Sequence, residues 1–199
     1  MHKGLVLMIL LIFGVATVLS SCAEMSTVMA PKPSAENFMA PIVTIDSVQL
    51  RYYDGFWVYG DAKVALGEAP KGGGSSAISI DFIFNIENSN AYPVKLDSTK
   101  FFLCFEDYEL QLVTDSNPMW IPAGMTNTKV ISTTLNPMVA QTKPMTTKAK
   151  NRGIKPIELV QKWWTQLPDM SFPIHLTGGT FTFTANGLVK PVPYQVRYP

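Results

Sequence analysis

Residues 77–96 read AISIDFIFNIENSNAYPVKL. Successive side chains of an extended chain point to opposite faces. Ile78, Ile80, Phe82, Phe84 and Ile86 therefore share one face, while Ser79, Asp81, Asn85 and Glu87 share the other with Ile83. This period of two marks a strand with one dry and one wet face, the pattern of an antiparallel sheet packed on a core. The chain then passes through Asn88-Ser89-Asn90-Ala91-Tyr92-Pro93, a run of turn-forming residues, before Val94-Lys95-Leu96 resumes the strand pattern.

The same alternation extends in both directions. Residues 42–53 alternate loosely, with Val43, Ile45, Val48, Leu50 and Tyr52 as core candidates. Residues 55–66 form a second aromatic and β-branched run, and residues 67–76 read as a loop because they hold Pro70 and Gly72-Gly73-Gly74. Downstream, 94–96, 100–105 and 109–114 read as short strands. Asp115-Ser116-Asn117-Pro118 turns the chain, and Trp120-Ile121-Pro122-Ala123-Gly124 leads to a Thr-rich strand over 126–135. Residues 156–167 form the one predicted helix. Pro156 suits its first turn, and Ile157, Val160, Trp164 and Leu167 lie on one stripe that Leu159 and Trp163 widen. Core packing accounts for that stripe. Phe172, Ile174 and Leu176 alternate, as do Phe181 and Phe183 after Gly178-Gly179. Asn186-Gly187 signals a hairpin into 189–198, an edge strand by its Pro191 and Pro193. About seven or eight strands with one late α-helix make an all-β, antiparallel sandwich.

The stretch from Phe82 to Leu96 resembles the signature of the late-embryogenesis-abundant type 2 family, also called the WHy (water stress and hypersensitive response) domain. That signature has an alternating strand, then Asn-Pro-Asn, then an aromatic-Pro-aliphatic step. Asn88-Ser89-Asn90 stands at the first motif, with Ser89 in the place of proline, and Tyr92-Pro93-Val94 at the second. Trp120 to Thr126 and Gly178-Gly179-Thr180-Phe181 are similar to two further family turns. The resemblance covers roughly residues 41–199. It implies a fibronectin- or Ig-like β-sandwich and an association with desiccation and stress tolerance. Asn88, Asn90, Tyr92 and Pro93 read as structural. Asn tolerates left-handed backbone and bonds back to its local backbone, and Pro93 fixes φ where the next strand starts.

The N-terminus carries a different signal. One firm charge, Lys3, precedes the uncharged run LVLMILLIFGVATVL at 5–19, which is short for a membrane-spanning helix. Leu19-Ser20-Ser21-Cys22 then resembles a bacterial lipobox: an aliphatic residue, two small residues and a cysteine. The resemblance implies a diacylglycerol on Cys22 and signal-peptidase cleavage after Ser21. The domain reading is a signal over 1–21, a lipidated tether over 22–40 and the sandwich over 41–199. The partner implied is membrane lipid, held through Cys22. Ala23 in place of Asp favours the outer membrane, on its periplasmic side, if the cell has two membranes.

Composition narrows the function. Lys3 is the only charged residue among residues 1–21, so the remainder has 15 Lys and Arg against 15 Asp and Glu. That balance lacks the basic footprint of a nucleic-acid binder. With Cys22 lipidated, Cys104 has no disulfide partner, and its setting in Phe101-Phe102-Leu103-Cys104-Phe105 predicts burial. His175 alternates against core residues and should face outwards. No zinc spacing, nucleophile elbow or phosphate loop occurs, and Glu106, Asp107 and Glu109 do not have calcium-loop spacing. The expectation is a non-enzyme without metal or cofactor. Lys129, Lys143, Lys148, Lys150, Arg152 and Lys155 lie in a segment without acids. It reads as solvated loop, with contact to anionic lipid or polysaccharide as the alternative. Two functions stand open: a stress-protective envelope lipoprotein, or an accessory subunit of an envelope assembly. Phe56-Trp57-Val58-Tyr59 and Trp163-Trp164 are the candidate contact surfaces for the second.

Overall fold

A computed structural model describes residues 31–56, 76–137 and 139–199. Lys32–Pro199 forms a compact unit by itself. Its strands are β1 (Ile42–Tyr53), β2 (Ile78–Glu87), β3 (Val94–Phe105), β4 (Tyr108–Asp115), β5 (Met119–Ile121), β6 (Thr126–Leu135), β7 (Ile174–Ala185) and β8 (Leu188–Tyr198). Two helices, α1 (Lys143–Asn151) and α2 (Pro156–Gln166), and a 3-10 turn (Leu167–Asp169) fall between β6 and β7.

Every neighbouring pair of strands is antiparallel. One sheet runs β1-β2-β6, and the other runs β4-β3-β7-β8, with β5 also paired to β3. The chain is thus an all-β sandwich. Ile78, Ile80, Phe82, Phe84 and Ile86 are all fully buried between the sheets, as the alternation requires. Burying each contributes about 1.5–3 kcal/mol relative to exposure. Phe84 packs edge-on against Phe181 across the sheets at a centroid distance of 5.1 Å, and Phe82 against Phe101 at 5.4 Å. Edge-to-face pairs of this kind suit the aromatic quadrupole.

Bulges explain where the strand readings needed revision. β3 is one strand through both predicted pieces, because register shifts at Leu96/Ser98 and Lys100/Phe102 absorb the break in alternation. β7 likewise runs unbroken through Gly178-Gly179. Gly178 has φ +57, and a Cβ on Gly179 would lie 2.6 Å from the Tyr194 carbonyl oxygen. In β1 a shift between Leu50 and Tyr52 rotates Tyr52 outwards, where it is 52% exposed, and Tyr53 packs on the core instead. Asn186 and Gly187 both have positive φ, as a two-residue hairpin between β7 and β8 needs.

Two expectations are corrected. The late helix is preceded by a second, α1. Only Met145 and Ala149 of α1 are buried, so its hydrophobic period is too thin to detect among Lys and Thr. Its start was nonetheless written in the sequence: Thr142 caps it, accepting from Met145 N at 3.3 Å, and a proline stands in the first turn. The folded unit also begins before residue 41. Phe38 is only 3% exposed, and Met39 is bound to Asn90, so the last residues of the predicted tether belong to the domain. The predicted run over 55–66 and the loop over 67–76 lie mostly outside the described residues.

Candidate functional site

The two ends of the sandwich are built differently. At one end, α2 plugs the gap between the sheets. Trp163 meets Phe105 and Tyr108 at the β3–β4 hairpin, with centroids at 5.8 and 5.4 Å. Trp164 turns to the other sheet. Its Nε1 donates to Ser76 O at 2.7 Å, and its carbonyl accepts from Tyr53 Oη at 2.9 Å. Both indoles are fully buried, which removes Trp163-Trp164 as a contact surface. Phe56 is buried as well, and residues 57–59 lie outside the described residues.

At the opposite end, the β2–β3 connection carries the predicted motif residues. Asn88 is fully buried. Its Nδ2 donates to the carbonyls of Tyr92 (2.9 Å), Ile121 (3.1 Å) and Pro122 (3.0 Å). Its Oδ1 accepts from Asn90 N (3.0 Å) and Asn90 Nδ2 (2.8 Å). Asn90 in turn clasps Met39: Oδ1 accepts from Met39 N at 2.8 Å, and Nδ2 donates to Met39 O at 2.9 Å. Tyr92 is buried, and its hydroxyl donates to Asn37 Oδ1 at 2.9 Å; burial pushes its pKa up. Pro93 is exposed immediately before β3. The motif therefore ties three segments together: the entering chain, the β2–β3 turn and the β5–β6 turn. Left-handed backbone is not the reason for asparagine here, since neither Asn88 nor Asn90 has positive φ. The requirement is an amide that donates and accepts at once inside a dry turn. Leu19, Ser20, Ser21 and Cys22 lie outside the described residues.

The acid-free segment does not form a free basic face. Lys129 points into the sandwich. It pairs with Asp115 at 2.6 Å and donates to Asn117 O at 2.8 Å, its side chain 11% exposed. Lys148 on α1 and Arg152 at its C-cap both hold Asp107, at 2.9 and 2.6 Å, and both lie over the Tyr108 ring. Arg152 grips the carboxylate with two nitrogens. The guanidinium beside Asp107, reinforced by Lys148, lowers the carboxyl pKa to about 2, and Asp107 raises that of Arg152 in return. Lys155 pairs with Glu158, and Glu106 of the same hairpin pairs with Lys162. Among the described residues only Lys143 and Lys150 of this segment make no ion pair. A shallow groove beside α1 is lined by Lys143, Pro144, Thr147, Lys148, Asn151 and Arg152.

Cys104 is buried in β3, 3.5 Å from Thr177 Oγ1, and burial pushes its thiol pKa up. Such a thiol is poorly nucleophilic. His175 stands opposite Cys104 on β7 and faces the outer side of the sheet as expected, yet it is half-buried. Its Nε2 is covered and finds no hydrogen-bond partner in the protein. Alternation predicts the face; it does not show that neighbouring side chains cover the ring. No group of three metal-ligating side chains occurs among the described residues, and none of their helices is long and apolar enough to cross a membrane. The sequence reading passed over Trp120 and Met125 as surface residues. They are 62% and 56% exposed beside the Asn88 clasp. Trp120 at the centre of the short β5 and Met125 in the turn after Gly124 flank Pro122, and that proline and glycine were the available sign.

No protein-family profile matches the chain, and no curated protein does. Solved structures give loose superpositions. A protein of Archaeoglobus fulgidus matches with a TM-score of 0.42 at 12% identity, over 78% of this chain and 94% of that one. A Bordetella pertussis protein provisionally described as ApaA gives 0.38 at 13% identity, over 79% and 92%. A protein provisionally described as late embryogenesis abundant gives 0.30 at 12% identity, over 95% and 88%. Likenesses at these scores and identities carry no conclusion about family or activity.

Proposed function

We propose that the protein is a non-enzymatic lipoprotein of the cell envelope, held by lipid on Cys22 and protective when water is lost. The observation that carries the anchoring is Leu19-Ser20-Ser21-Cys22 at the end of a short, uncharged apolar run. Two or three acyl chains make a stable anchor, because each buried CH₂ contributes about 0.8 kcal/mol. Ala23 supports the outer membrane, on its periplasmic side, over the inner one where the cell has two membranes. A structural role for the signature polar residues supports the non-enzymatic reading. Asn88, Asn90 and Tyr92 bond to the protein's own backbone and side chains rather than facing a ligand. The protective role follows the resemblance of the Phe82 to Leu96 stretch to the type 2 late-embryogenesis-abundant signature.

A second reading, an accessory subunit of an envelope assembly, is favoured by the exposed Trp120 and Met125. A gene-deletion strain separates the two. Deletion should lower survival after drying and salt stress. The wild-type gene should restore survival, and Cys22→Ala should not. Full survival of the deletion strain contradicts protection and leaves the assembly reading. Restoration by Cys22→Ala contradicts the anchor.

A further inference from the structure

Sheet edges expose unpaired N–H and C=O groups, and proteins guard them against further strands. Three of the edges here are guarded. β8 has Pro191 and Pro193, which remove donors, together with Lys190 and Arg197. β1 is broken by two register shifts and bears Asp46 and Arg51. β4 is covered by α1: Thr142 Oγ1 donates to Glu109 O at 2.9 Å, and Lys148 and Arg152 hold the adjoining Asp107.

β6 lacks the prolines and register shifts of these edges, and the one guard it carries is a lysine that points inwards and is already paired. Its ten residues, TNTKVISTTL, contain neither proline nor glycine and pair with β2 without a register shift. Among the described residues no strand pairs with its far side. Its one charge, Lys129, is turned inwards onto Asp115. The Thr133 carbonyl accepts from Ser79 Oγ at 3.3 Å and so faces β2. Backbone direction alternates along an antiparallel strand, so Thr126, Thr128, Val130, Ser132 and Thr134 direct their N–H and C=O groups outwards. The side chains of the same five residues are exposed, with Val130 at the centre 49% exposed.

We propose that β6 pairs antiparallel with β6 of a second copy of this chain, about a twofold axis at Val130. The two three-stranded sheets then become one of six strands. The sequence is self-complementary about that axis. Thr126 meets Thr134, Thr128 meets Ser132 and Val130 meets its own copy. Every one of these pairs is small or β-branched and uncharged, which cross-strand positions favour, and no like charges oppose each other. A twofold seam of this kind closes on itself and leaves β1 as the outer edge on both sides.

The test is sedimentation of the full chain extracted from membranes in density-matched detergent. Wild type should form dimers. Val130→Lys, which places two lysines face to face, should raise the dimer dissociation constant by roughly tenfold or more. So should Val130→Glu. Mixing the two variants should restore dimers, because Lys then opposes Glu, and that recovery shows that neither variant is misfolded. A monomeric wild type overturns the proposal. So does a wild-type dimer that Val130→Lys leaves intact, or a mixture that stays monomeric.

Discussion

Asn88 offers two amide hydrogens and one carbonyl oxygen, and all are engaged in a fully buried turn. Removing the amide takes the bonds from the Tyr92 and Ile121 carbonyls and from the Asn90 backbone N–H in a dry site, while Pro122 O keeps Met125 N and Asn90 Nδ2 keeps Met39 O. A buried polar group left unsatisfied costs about 1–3 kcal/mol, so Asn88→Ala should destabilise the domain by roughly 2–4 kcal/mol. Urea unfolding should show a lower midpoint at unchanged slope; a shift under about 0.5 kcal/mol would mean that the clasp is not structural. Asn88 and Asn90 were legible as turn residues from their neighbours alone. Their partners were not. Ile121 and Pro122 lie 33 and 34 positions away and Met39 lies 51 from Asn90, and only the tertiary fold brings them together.

Among the elements, the strongest sequence signals gave the most accurate readings. The strict alternation of β2 fixes its dry face residue by residue. β3 and β7 were legible as strands but not as continuous ones, since a bulge looks the same as a break when period two is the only guide. α1 was missed because its stability comes from contacts that a local pattern does not record: its cap bonds to β4, and two of its cations grip one carboxylate on the β3–β4 turn. That carboxylate gives α1 a pH dependence. The Asp107 carboxyl, ordinarily near 3.8, titrates at about 2 in the folded chain, so the unfolded chain takes up its proton first as the pH falls. The contribution is complete above about pH 5 and is lost between about pH 4 and 2. Asp107 is half-exposed, and solvent screening holds the effect to about 0.5–1 kcal/mol. Asp107→Asn should lower stability at pH 7 and flatten the acid limb of the stability curve. A variant with the acid limb of the wild type would show that the ion pairs contribute nothing.

On the scale of the whole molecule, the sandwich has an aromatic plug at one end and an asparagine clasp at the other. The chain enters at the clasp end, through Phe38 and Met39. Alternation, turn residues and the single strong helix stripe were enough to read a sandwich. The interior Lys129–Asp115 pair, the covered His175 ring and the open edge of β6 were not readable, because each depends on which strands become neighbours. In the proposed reading, the clasp end is the one joined to the lipid. The central claim is the lipid on Cys22, and intact mass of the protein isolated from bacterial membranes tests it most directly, with Cys22→Ala alongside. The account predicts a chain that begins at Cys22 and carries the added mass of two or three acyl chains, absent in the variant. An unmodified cysteine, or an N-terminus elsewhere, would contradict it.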